Sequence, residues 1–165
     1  MMTRGSLPDS QRRRLLQGLD TVAIASLAGC SAVLGGKNES IHLHPHLTIE
    51  IHEETQQIPS DIGIGQEFAD SPYYDSGMEM TSIHTYDASG TIHWEIMNRP
   101  PIDGELQLGA FFDIWGKPFL ERQIFDYQND GQNTVTMTVN GEPNDDYATY
   151  EVTDGDEIVI RYALG

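Results

Sequence analysis

All six histidines of the chain lie between His42 and His93, and none occurs from Trp94 to Gly165. Near pH 7 imidazole is a neutral nitrogen donor and the commonest protein ligand for metal ions. In the first stretch Ile41, Leu43, Pro45, Leu47, Ile49 and Ile51 alternate with His42, His44, His46, Thr48, Glu50 and His52. That is the period of a half-buried strand with imidazoles along its polar side. Side chains at i and i+2 project the same way, about 7 Å apart, so neighbouring histidines can converge on one ion if a second strand supplies further donors.

The segment Thr81 to Met97 supplies that strand. Asp87-Ala88-Ser89-Gly90 reads as a hairpin turn, with Ile83, Ile92, Trp94 and Ile96 on the apolar face. His84, Tyr86, His93 and Glu95 then share the other face, and His84 meets His93 across the strands whichever turn type is used. The spacing predicts a metal site with His44, His46, His84 and His93 at its centre. His42, Tyr86, Asp87 and Glu95 are further ligands or partners that orient the imidazoles, and His52, a strand's length away, is a bystander. Neutral nitrogen clusters accept Cu(II), Zn(II), Ni(II) and Fe(II), so copper, zinc or iron is the expected ion. Met78 and Met80 precede His84 and could add thioethers suited to Cu(I), or simply fill gaps in a connection.

Two other functions fit the same residues. A metal-dependent enzyme would use the ion as Lewis acid or water activator, with Glu95 or Asp87 as general base. The chain holds no His-Glu-x-x-His, no nucleophile elbow and no phosphate-cradling glycine loop, so catalysis is the weaker expectation. A cell-surface binding or adhesion module would use exposed aromatics such as Tyr73, Tyr74 and Tyr147, with histidines that are only solvated or acid-responsive.

The amino terminus carries an address. Gln11-Arg12-Arg13-Arg14-Leu15-Leu16 places a twin arginine before a modestly apolar stretch, Leu15 to Leu27, that Gln17, Gly18 and Asp20 make too short and polar to span a bilayer stably. Leu27-Ala28-Gly29-Cys30 resembles a lipobox. The resemblance implies a twin-arginine-exported lipoprotein precursor: residues 1–29 are a signal peptide, and Cys30 is lipid-modified and anchors the mature chain to the outer face of the cell membrane. Cys30 is the only cysteine, so no disulfide forms within the chain. Residues 30–40, rich in Gly, Ser and Asn, form a tether.

The chain has 9 Lys+Arg against 26 Asp+Glu, a formal net charge of −17. Residues 1–29 hold four arginines and two aspartates, so the remainder carries 5 basic against 24 acidic groups, a formal −19. Nucleic acid and anionic lipid surfaces repel such a chain. An acidic, lysine-poor composition resembles that of salt-adapted proteins, in which high ionic strength screens self-repulsion. Asp154-Gly155-Asp156 and Asn144-Asp145-Asp146 read as turns rather than calcium loops.

Residues 41–164 suffice for one domain. The patterns predict strands at Ile41–Glu53, Gln56–Pro59, Phe119–Tyr127, Thr134–Val139, Tyr147–Val152 and Glu157–Ala163, with a turn at Asn140-Gly141. Leu108, Phe111, Phe112 and Trp115 follow helical spacing in Leu106–Trp115, and Gly116 ends that helix before Pro118. An α+β fold is expected, a mostly antiparallel sheet packed on one main helix in a β-grasp-like layout. Asp154 to Ile160 resembles the closing strand of ubiquitin-like sulfur carriers. Their function is not implied, because the chain ends Leu164-Gly165 without their Gly-Gly tail.

His44-Pro45-His46-Leu47, Ile83-His84-Thr85-Tyr86-Asp87 with Gly90-Thr91-Ile92-His93-Trp94-Glu95, and Leu108 to Gly116 look like three blocks of an uncharacterised family of exported prokaryotic domains, over roughly residues 41 to 164. In that family the second block reads His-Thr-His-Asp, so Tyr86 stands where a histidine is expected. The resemblance implies one grouped histidine site of altered geometry and supplies no reaction.

Overall fold

A computed structural model describes residues 40–165; the twin arginine, the lipobox and Cys30 lie outside the described residues. Three strands open the domain, β1 (Ile41–Leu43), β2 (His46–Ile51) and β3 (Glu54–Gln56). A looped segment with β4 (Tyr74–Asp75) and β5 (Met80–Thr81) leads to β6 (Ile83–His84) and β7 (His93–Ile96). The helix α1 (Leu108–Trp115) follows, then β8 (Phe119–Leu120), β9 (Gln123–Ile124), β10 (Tyr127–Gln128), β11 (Asn133–Val139), β12 (Glu142–Pro143) and β13 (Glu157–Leu164).

The fold corrects the expected α+β, β-grasp-like layout. Strand accounts for 39% and helix for 11% of the described residues, and the strands form several small sheets instead of one sheet on a main helix. The aromatic stripe does make a helix with Leu108, Phe111 and Phe112 buried. It lasts only eight residues, because Gly116 turns left-handed at φ 69° and its N–H caps the carbonyls of Asp113 and Phe112.

The largest sheet has the order β12-β11-β13-β2-β3. Its centre is a parallel pair, with Ile158 opposite Leu47 and Ile160 opposite Ile49. Alternation along β2 and β13 sends Leu47, Ile49, Ile51, Ile158, Ile160 and Tyr162 into the core. Asn140 and Gly141 both have positive φ, 53° and 83°, as a two-residue hairpin turn between β11 and β12 requires. A second sheet, β1-β7-β6, carries the histidines of interest.

Four expected strands take other forms, and of Gln56–Pro59 only Gln56 is extended in a ladder, as the last residue of β3. Ile41–Glu53 is two strands in different sheets, because Pro45 has no N–H to continue a ladder. β1 pairs with β7, whereas from His46 onward the chain pairs with β13, and the His46 N–H donates to the Asp156 carbonyl at 2.7 Å. Phe119–Tyr127 is broken into the short meander β8, β9 and β10, with Phe125 at φ 52°. Tyr147–Val152 begins as a single 3-10 turn over Tyr147–Thr149. Among the described residues no helix is long and apolar enough to cross a membrane.

Candidate metal centre

β6 and β7 pair antiparallel with Ile83 opposite Trp94 and His84 opposite His93. β1 pairs on the other side of β7, with His42 opposite Glu95 and Leu43 opposite Trp94. Trp94 and Ile83 are fully buried, so the apolar rows face the core and the polar side chains of all three strands face away from it. Continuing this register brings His44 alongside His93, and their ring centroids lie 5.0 Å apart. The His84 and His93 rings stack at 5.6 Å, 7° from parallel.

One nitrogen of His44, one of His93 and one carboxylate oxygen of Glu95 lie within 4.8 Å of one another. Within this set His93 Nδ1 and Glu95 Oε1 are 3.8 Å apart. Donors about 2.1 Å from a tetrahedral ion are themselves about 3.4 Å apart, so closure around an ion needs only small side-chain rotations. His84 adjoins the set through its stacked ring, and Tyr86 meets both His84 and His93 edge-on, with centroids 4.7 Å from each.

The hydrogen bonds fix which nitrogens are free. His84 is fully buried, and its Nδ1 lies 3.0 Å from the Thr81 carbonyl. A carbonyl only accepts, so Nδ1 carries the proton and Nε2 keeps a lone pair. That buried Nε2 has no hydrogen-bond partner, nor has Nδ1 of His93, and outside the set Nδ1 of His46 is likewise unpaired. Leaving a buried polar atom unpaired costs about 1–3 kcal/mol, and two such atoms on facing imidazoles fit a site built to receive an ion. His44 is held from outside: its backbone N–H donates to Asp154 Oδ1 at 2.9 Å, and its Nδ1 lies 3.3 Å from the same oxygen. A carboxylate behind an imidazole is the usual means of orienting a metal-binding histidine.

Burial first, then neighbouring His44, pushes the His93 imidazolium down from its ordinary range, against the opposing pull of Glu95 and Asp87. Burial likewise lowers His84, against the Thr81 hydrogen bond and Glu95. Both shifts favour the neutral imidazole, the form that can bind a metal. Burial and the charge of Glu95 push the Tyr86 phenol up. Gly63, at φ 81°, packs the covering loop so tightly that a Cβ there would lie 2.6 Å from the Ile83 carbonyl and 3.2 Å from His84 Cβ.

Several expected residues lie elsewhere. The turn at Pro45 separates His46 from His44: its Nε2 lies 2.9 Å from the Ser89 carbonyl and its Nδ1 3.6 Å from Glu157 Oε2. Asp87 accepts the Ser89 N–H at 2.9 Å and shapes the hairpin turn. His42 Nε2 lies 3.3 Å from Met97 Sδ. His52 packs against Tyr162 and Tyr127. Met80 pairs with Asp75 in the β4-β5 ribbon. Tyr73 and Tyr147 are half-buried against the core, and Tyr74 accepts a hydrogen bond from Gln66.

Sequence reading missed Asp154 and Met97 as neighbours of the histidines. No local pattern signals either, because their contacts span 110 and 55 residues. Comparison with family models, with curated proteins and with solved structures finds no match to this chain.

Proposed function

We propose that this is a membrane-tethered, extracytoplasmic protein that binds a transition metal ion through His44, His93 and Glu95, with His84 as the fourth donor. The ion is copper, zinc or iron, and the role is handling or sensing of the metal rather than turnover. The observation that carries the reading is the pair of unpartnered buried nitrogens, His84 Nε2 and His93 Nδ1, on directly opposed residues. An ion at His44, His93 and Glu95 satisfies the His93 lone pair, a turn of the His84 ring out of its stack brings Nε2 to the same ion, and the neighbouring Glu95 carboxylate offsets the charge. Placement at the outer face of the cell membrane follows from the twin-arginine and lipobox-like segments, with Cys30 as the acylated residue.

Elemental analysis of untagged protein purified from its native compartment tests the reading. Retention of about one equivalent of a transition metal, lost in the His44→Ala/His93→Ala variant, is the expected result. A wild-type protein that emerges free of metal and takes none up from micromolar zinc or copper overturns it. For the anchor, Cys30→Ala is expected to move the protein from the membrane to the soluble fraction.

A further inference from the structure

Met97 follows β7 directly and is 38% exposed. Its Sδ lies 3.3 Å from Nε2 of His42, an exposed residue of β1 whose register partner is Glu95. The two atoms differ from the donors of the centre just described. That centre offers imidazole nitrogen and carboxylate oxygen, whereas here a nitrogen is paired with a soft sulfur.

We infer that His42 Nε2 and Met97 Sδ form a second metal site, selective for copper(I), beside the imidazole–carboxylate centre. Thioether sulfur selects Cu(I) over the harder divalent ions. With donor distances of about 2.0 Å for nitrogen and 2.3 Å for sulfur, as in zinc sites, the observed separation corresponds to an angle of about 100° at a shared ion. An angle of that size fits a three- or four-coordinate ion, so the pair supplies two of the ligands and an exogenous donor completes the set. Without an ion the contact is an N–H···S hydrogen bond, and the alternative neutral tautomer, protonated on Nδ1, frees Nε2 without net proton uptake or release. Exposure of both side chains leaves the site open to a donor molecule in solution. The inference goes beyond the reading above and does not require it, since neither His42 nor Met97 belongs to the first donor set.

The test uses the untagged full chain under anaerobic, reducing conditions, with Cu(I) delivered against a chromophoric chelator and the methionine methyl groups observed by 13C NMR. Expected are a shift of the Met97 methyl resonance at one equivalent of Cu(I) and a loss of Cu(I) affinity of about tenfold or more in Met97→Leu. Leucine keeps the volume, so Zn(II) binding by Met97→Leu stays as in wild type. His44→Ala/His93→Ala should show the reverse, losing Zn(II) and keeping Cu(I) at Met97. A Met97 resonance unmoved by Cu(I), or wild-type Cu(I) affinity in Met97→Leu, overturns the inference. Absence of Zn(II) binding in wild type alongside a shifted Met97 methyl overturns only the first reading.

Discussion

His84 and His93 face each other across β6 and β7 with stacked rings, each presenting a buried nitrogen that nothing in the described structure satisfies. On the proposed reading, replacing His84 separates metal binding from stability. Phenylalanine keeps the stacked ring, removes the unpaired Nε2 and gives up only the Nδ1 bond to Thr81. Metal-free His84→Phe should stay within about 1 kcal/mol of wild type, because the unpaired Nε2 it removes is offset by the Thr81 carbonyl it leaves unpaired. Its metal retention should fall by about tenfold or more. Thermal unfolding in chelator, set against metal content without it, checks both halves, and a destabilised variant that still holds metal would contradict the assignment.

Asp154 acts on the centre only through His44. It is exposed, so its replacement leaves the core intact, while the His44 ring loses the carboxylate that orients it. Asp154→Ala is expected to weaken metal binding by about 10–100-fold with an unchanged unfolding midpoint for the metal-free protein. Asp154→Asn, which keeps an acceptor oxygen, should recover part of the loss. Competition titrations with a colorimetric chelator read the difference.

Glu105 gives the fold its own acid limit. Its side chain is fully buried, accepts Ser82 Oγ at 2.5 Å and the Ile102 N–H at 2.8 Å, and binds Arg99 through both oxygens. Burial pushes its carboxyl up, but those hydrogen bonds and the Arg99 charge outweigh it and hold the group below its ordinary value. A lowered native value contributes stability that is present above the unfolded value of about 4.3 and lost as pH falls through the native one. Arg99→Met should cost about 3 kcal/mol at neutral pH by leaving the carboxylate unpaired. Burial then dominates, so acidification toward pH 5 should stabilise this variant. Urea midpoints from pH 7 down to about 3 separate the two, the wild type losing stability only below the unfolded value and the variant gaining it on the way to pH 5.

The net charge of −17 destabilises the compact state by self-repulsion, and salt shortens the screening length from about 10 Å at 0.1 M to about 3 Å at 1 M. The unfolding temperature of the metal-free protein should rise between 0.1 M and 2 M potassium chloride. A midpoint that stays flat across that range would remove the salt-adapted reading of the composition.

What could be read from the chain, and what could not, divides along sequence distance. The opposition of His84 and His93 followed from turn residues and alternation within 17 residues, Thr81 to Met97. The stop at Gly116 followed from one glycine near one proline. The grouping of His46 with His44 did not hold, because period-two alternation continues unbroken through Pro45 while the pairing partner changes from β7 to β13. Periodicity reports which side a residue faces and is silent about which strand it faces. The mostly β layout was hidden for the same reason, since a strong aromatic stripe marks a helical face without saying how much of the fold rests on it. Asp154 and Met97 reach the histidines through tertiary approach alone.

The parallel ladder between β2 and β13 has a kinetic consequence. Arg161 donates to Glu50 at 2.5 Å across 111 residues, and β13 occupies the middle of its sheet, hydrogen-bonded to β11 on one side and β2 on the other. The loop-closure entropy of that long span must be met before the central pairing can form. Synthesis from the amino end thus leaves β2 waiting, its apolar side uncovered, until β13 has been made, which makes this strand the segment most in need of protection from aggregation in the nascent protein.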